Sequence, residues 1–177
     1  DQRDCAPFDG SITIDTNDPA HVNVLGPYTF AWERDGVALN PVPDNILPGI
    51  NAGVYTVTGT KVSGVSAGCV TAPFSVTILD LTERPVVELQ SIANYACDPA
   101  FANGEISATI FDGTVIASPA DYDLQWFAGK NVTVGPVLGT APQLTNQMQG
   151  DYTLLVVDNT SPNRGCSNYA SLAIDFD

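Results

Sequence analysis

The chain has 177 residues, of which 44% are apolar and 15% charged, too apolar and too weakly charged for a disordered polymer. No apolar run approaches the roughly 20 residues of a membrane-spanning helix, and the length suits one large domain or two of about 100 residues or fewer. Against 6 Lys+Arg stand 20 Asp+Glu, a net charge of −14 that repels phosphate backbones and anionic lipid, so neither nucleic-acid binding nor membrane insertion is expected.

Read in chain order, apolar residues alternate at period two between turn residues, the pattern of half-buried strands. After Cys5-Ala-Pro7 come Ile12 and Ile14, then Tyr28, Phe30 and Trp32, then Tyr55 and Val57, then Phe74, Val76 and Ile78. Past a short segment at Asp80–Arg84, Pro85 to Leu89 reads as a strand entered by a proline, where no ladder donor is needed. Three further sets follow: Ile106, Ala108 and Ile110, then Tyr122, Leu124 and Trp126, then Tyr152, Leu154 and Val156. Leu172, Ile174 and Phe176 close the chain. Tyr28, Trp32, Tyr55, Tyr122, Trp126 and Tyr152 are expected core residues. Each Trp shares its face with apolar residues two and four positions back, which suits a plug between two sheets.

The second half repeats the first. Cys5-Ala-Pro7 returns as Cys97-Asp-Pro99, Gly10-Ser-Ile12 as Gly104-Glu-Ile106, and Tyr28-x-Phe30-x-Trp32 as Tyr122-x-Leu124-x-Trp126. Gly53-Val-Tyr55-Thr-Val57 returns as Gly150-Asp-Tyr152-Thr-Leu154, and Gly68-Cys69 as Gly165-Cys166. The shift drifts only from 92 to 97 residues and the order never breaks, so insertions fall in loops between fixed elements. An all-β fold of two homologous domains is expected, residues 1–80 and 81–177. The first lacks a counterpart of the strand at Pro85, as though the chain began partway through a repeat. The linker at Asp80–Arg84 is too short for the domains to tumble freely, which predicts a semi-rigid rod.

Four cysteines with no CxxC pair and one histidine do not make a zinc site. Two structural disulfides fit better and imply an oxidising, exported compartment. Duplicated units normally carry a self-contained framework, so the expected pairs are Cys5 with Cys69 and Cys97 with Cys166. For those pairs to meet, an even number of full-length strands must lie between them, which leaves one full strand between Trp32 and Gly53.

The succession of Cys, Gly-x-Ile, Tyr-x-Phe-x-Trp, the run from Leu47-Pro48-Gly49 to Gly53-Val54-Tyr55-Thr56-Val57, Gly-Cys and a closing strand resembles the SprB-type repeat of Bacteroidetes surface adhesins. The resemblance covers nearly the whole chain, twice. It implies two tandem immunoglobulin-like β-sandwich domains, export by type IX secretion, and a place in a long, repetitive cell-surface adhesin, the gliding-motility adhesin among them. It brings no catalytic residues. The second copy departs from the first at Gln147-Met148-Gln149, where the first has Ile50-Asn51-Ala52.

Other motifs carry less. Gly64-Val65-Ser66-Ala67-Gly68 matches the G-x-S-x-G nucleophile elbow, which needs a strand-to-helix turn and a later histidine. A strand pattern follows instead, and the single His21 lies upstream. Asp15-x-Asn17-Asp18 and Asp112-Gly113 follow corresponding strands. Oxygen-rich loops of this kind can bind calcium, although neither has the spacing of a known calcium loop. The reading is a non-catalytic spacer or adhesion module, extracellular and at the cell surface, without a cofactor unless calcium. Its partners are neighbouring repeats of the same chain, with a surface glycan or protein as a further candidate. The alternative is an accessory glycan- or protein-binding module of a secreted protein.

Overall fold

The computed structural model describes residues 1–14, 28–39 and 45–177. They form two compact units: one comprises Asp1–Arg3 and Pro7–Leu81, the other Asp4–Ala6 and Thr82–Asp177. The chain thus enters the second unit for three residues near its start. The segment expected to be a linker is divided between the units, with Leu81 in the first and Thr82 in the second.

In the first unit the strands are β1 (Gly10–Thr13), β2 (Tyr28–Arg34), β3 (Val37–Ala38), β4 (Ile46–Ile50), β5 (Gly53–Lys61) and β6 (Phe74–Ile78). One sheet has the order β3-β2-β5-β6 and the other pairs β1 with β4, all antiparallel. Asp35-Gly36, both at positive φ (51° and 80°), turn β2 into β3, as a tight two-residue hairpin of matching twist requires. Period-two alternation sends Trp32, Tyr55, Val57 and Ile78 to one side of the larger sheet. There they meet Leu47 and Ile50, with Ile12, Phe30 and Val76 packed around them. Tyr28, at the strand's end, stays half-buried with its ring stacked on Phe30 at 6.5 Å between centroids.

In the second unit follow β7 (Val86–Ile92), β8 (Gly104–Asp112), β9 (Val115–Ile116), β10 (Tyr122–Ala128), β11 (Gln143–Gln147), β12 (Gly150–Asp158) and β13 (Ser167–Ile174), with single 3-10 turns at Pro99–Phe101 and Pro119–Asp121. One sheet runs β11-β8-β7 with β9 beside β8, and the other runs β10-β12-β13. Their facing sides bury Ile106, Ile110 and Leu144 against Tyr122, Leu124, Trp126, Tyr152, Leu154, Val156 and Ile174. Two antiparallel sheets closing over one apolar core make a β-sandwich arrangement. Among the described residues there is no α-helix, and no helix is long and apolar enough to cross a membrane.

The repeat persists in details that carry no hydrophobic signal. In both units a buried amide residue anchors the chain ahead of the first shared strand. Gln2 donates its backbone N–H to Leu79 O and accepts from Leu81 N, and Asn94 does the same with Asp175 O and Asp177 N. Each side chain also ties down the turn before the Tyr-bearing strand. Gln2 Oε1 accepts from Ala52 N at 2.6 Å, and Asn94 Nδ2 lies 3.4 Å from Gln149 Oε1. Gly10 and Gly104 recur because backbone crosses them. A Cβ on Gly10 would collide with the Ile50 carbonyl, and one on Gly104 would sit 2.6 Å from Gln147 O and 2.7 Å from Ile174 Cγ2. Both glycines lie at register irregularities of their strand pairs. Gly104→Ala should therefore cost about 1–3 kcal/mol through overpacking, read as a lower urea midpoint at unchanged m; a midpoint equal to that of the wild type would refute the close approach.

The Tyr55 and Tyr152 hydroxyls donate to the carbonyls of Asn51 (2.8 Å) and Met148 (3.0 Å), each four residues upstream. Burial raises both phenols above their usual value, and it raises that of Tyr122, where Asp158, Asp112 and Asp121 add repulsion. A folded-state pKa above the unfolded one favours the neutral phenol. The associated stability is present below the unfolded value of about 10 and is lost as pH rises through the folded values. Melting temperature should fall above pH ~10. Tyr152→Phe should shallow that fall while costing about 1 kcal/mol at neutral pH for the lost hydrogen bond. An alkaline limb of equal slope in the variant would count against this assignment.

Candidate functional site

The structural feature with the clearest chemistry is the short strap Asp4–Ala6 and the loop after β12 that holds it. In that loop Asp158 N donates to Cys166 O (2.9 Å), Gly165 N to Asp158 O (2.6 Å) and Cys166 N to Asn163 O (2.9 Å). Asp158, itself buried, also accepts from Thr160 N and Oγ1. Asn163 and Gly165 take positive φ (83° and 78°), and Asn163 Oδ1 accepts from Glu83 N at 2.8 Å. A loop wound this tightly presents the Arg164 carbonyl outward as an acceptor.

The strap docks on that carbonyl. Cys5 N and Ala6 N both donate to Arg164 O, at 2.7 and 3.0 Å. The Asp4 carboxylate, 1% exposed, accepts from Arg164 N (3.1 Å) and from the guanidinium (2.9 Å). Burial of a carboxylate is tolerated here because charged and backbone donors meet both oxygens. Ala6 presses on Gly165 so closely that a Cβ there would lie 2.5 Å from Ala6 O. Across this contact runs the disulfide Cys5–Cys166, with Cα atoms 4.8 Å apart, while Cys69 and Cys97 are exposed free thiols.

This corrects the expected pairing of Cys5 with Cys69 and Cys97 with Cys166. In the second copy the two cysteines stand at opposite ends of the Tyr-bearing strand, and in the first Cys69 stands at the end opposite the residues that flank Cys5 in sequence. Cys69 O accepts from Lys61 N at the end of β5, whereas Gln2 and Gly10 are tied to Ala52 and Ile50, ahead of its start. Likewise Cys166 lies beside Asp158 at the end of β12, and Cys97 precedes Gly104, which pairs with Gln147 ahead of the start of β12. A nine-residue strand separates the ends by roughly 26 Å at ~3.3 Å per residue, against about 4.4–6.8 Å between the Cα atoms of a bridge. One stretch of the second unit breaks the expected parity. Between β10 and β11, residues 129–142 turn back beside the end of β10, where Trp126 N donates to Gly139 O and Leu138 N to Trp126 O. That return reaches only the level of Trp126 and of Ala108, whose N–H donates to Pro142 O, and the five-residue β11 covers the same distance back, so the two together add no net crossing. Between Trp32 and Gly53 the described residues hold the five-residue β4 and the two-residue β3.

Ser66 sits exposed in a turn between β5 and β6, and His21, Asp15, Asn17 and Asp18 lie outside the described residues. Asp112 is exposed at the end of β8, where Gly113 (φ 57°) and Thr114 turn the chain into β9. Among the described residues no group of three or more His, Cys, Asp or Glu is arranged to hold a metal ion. Sequence reasoning missed Gln2, Asn94, Asp4 and Arg164. The first two had a usable signal, since an amide residue stands three positions before the opening cysteine in both copies.

No protein-family model matches the chain, and no curated protein matches it.

Proposed function

We propose that the chain is a pair of immunoglobulin-like repeats serving as a non-catalytic spacer in a long bacterial cell-surface adhesin of the SprB-type family, with type IX secretion and gliding motility as its setting. The observation that carries this reading is the hydrogen-bond-level identity of the two units. Each has the same buried amide anchor, the same tight glycine crossing and the same tyrosine closing its corner. A tyrosine that bonds the backbone a few residues upstream at a sandwich corner is a recurrent device of immunoglobulin-like domains. Duplication at this fidelity suits a chain selected for length and shape, and a disulfide of Cys5 with Cys166 suits an oxidising exterior.

The test is to delete this pair from the full-length protein and compare surface reach and ligand choice. A spacer predicts shorter reach with unchanged ligand choice, and no glycan or protein capture by the purified pair. Capture that survives salt and is lost on substituting one loop end would establish the binding-module alternative instead. Calcium is proposed only as a weak ligand of the acidic loops at Asp15–Asp18 and Asp112. Millimolar calcium should then raise the melting temperature through linkage, and curves that superimpose with calcium and with chelator would leave the acidity as solubility.

A further inference from the structure

Cys69 and Cys97 are exposed thiols, yet each occupies the repeat position of a cysteine that is bonded. Cys97 corresponds to Cys5 and Cys69 to Cys166. The Cys69 loop already has the conformation that receives the strap in the second unit. Lys61 N donates to Cys69 O (3.0 Å), Gly68 N to Lys61 O (2.7 Å) and Cys69 N to Ser66 O (3.2 Å), matching the three bonds around Cys166. Gly68 has φ 87° where Gly165 has 78°. At Gly165 the glycine is required because Ala6 lies against it, whereas a Cβ on Gly68 would meet no described atom within 4 Å. The glycine of the Cys69 loop is thus shaped for a contact of the same kind.

The neighbouring side chains vary together. The bonded pair is flanked by Asp4 and Arg164, in contact at 2.9 Å. At the corresponding positions beside the free thiols stand Ala96 and Ala67. Joining Cys97 to a Cys69-type loop would set alanine against alanine. Joining Cys5 to one would leave the Asp4 carboxylate without its guanidinium, and joining Cys97 to Cys166 would leave the guanidinium without its carboxylate.

We infer that the cysteine opening each copy bonds the Gly-Cys of the copy that follows it, so that Cys97 and Cys69 are the two halves of the same bridge made with further copies of this unit. This rests on the repeat-spacer reading. The bond forms by thiol–disulfide exchange: two protein thiols lose two protons and two electrons, and one small-molecule disulfide is reduced to two thiols. Successive bridges would convert an array of sandwiches into a covalent ladder.

The 177-residue chain, concentrated in a buffer of oxidised and reduced glutathione, supplies both halves on separate molecules. Peptide mapping without reduction should find Cys5–Cys166 intact, and intermolecular Cys97–Cys69 bonds exceeding Cys69–Cys69 and Cys97–Cys97 bonds by about tenfold. Oligomers should extend beyond dimers, and a mixture of C69S and C97S should stop at the heterodimer. A67R should suppress the mixed bond and A96D on the other partner should restore it, a rescue that generic thiol oxidation would not show. Same-site bonds in random proportion, or monomers whose two thiols carry only glutathione, would overturn the inference. The spacer reading fails separately, through ligand capture by the pair, which this map does not score.

Discussion

Stretched between Asp1 and Asp177 under oxidising conditions, the chain should lengthen by only the segments outside Cys5 and Cys166, roughly fifteen residues or on the order of 50 Å. The released part includes β13, which peels from β12 once Ser167–Ile174 lose their ladder. Everything between the two cysteines, 161 residues in sequence separation, is bypassed because tension passes through the sulfurs. Reductant should add that withheld length, on the order of 500 Å at ~3.3–3.6 Å per residue, and Cys5→Ser should reproduce the effect without reductant. Two within-copy bridges would have withheld roughly 200 Å in each of two separate steps. Single-molecule force spectroscopy separates the two cases, and equal contour lengths with and without reductant would show that the bridge does not limit extension. The chain-entropy model gives a loop of this size about 5 kcal/mol of stabilisation. Reduction should therefore also lower the equilibrium stability of the second unit, whose strap the bridge retains.

The strands were legible because their signal is local and redundant. Tyr122, Leu124 and Trp126 point one way at period two, and β12 repeats the pattern across the ladder at Val156 and Leu154. The glycines at 10 and 104 were legible as a repeat, but their reason was not, since the carbonyls that forbid a Cβ come from residues some forty positions away. The bridge was misread for a similar reason. Its partner depends on which end of the sandwich each cysteine reaches, and that parity turns on the irregular return through residues 129–142, where Gly, Pro and Val alternate without a strand's pattern. Asp4 was hidden by chemistry: an acidic residue near a terminus reads as solvated until Arg164 is known to face it. The amide anchors Gln2 and Asn94 carry no hydrophobic signal, and only the comparison of the two copies marks them.

The residue that fixes the return through residues 129–142 is Trp126, and its truncation should be the most damaging single substitution in the second unit's core. Its ring is fully buried between the two sheets, with Leu144 on one side and Tyr152, Leu154 and Val156 across the ladder. Its backbone holds residues 138–139 through two hydrogen bonds, and its indole Nε1 donates to Ala141 O at 2.9 Å, so one residue ties three points of the returning segment. Trp126→Ala removes the ring and the indole donor together. About 3–5 kcal/mol should be lost, which for a unit of this size corresponds to a melting temperature lower by some 15–30 °C. Trp126→Phe separates the contributions, since it keeps an apolar ring and leaves Ala141 O without its donor. It should cost about 1–2 kcal/mol, measured as a shift in the denaturant midpoint of the oxidised chain. If Ala cost no more than Phe, the indole would be replaceable filling and the returning segment would owe its position to the backbone alone.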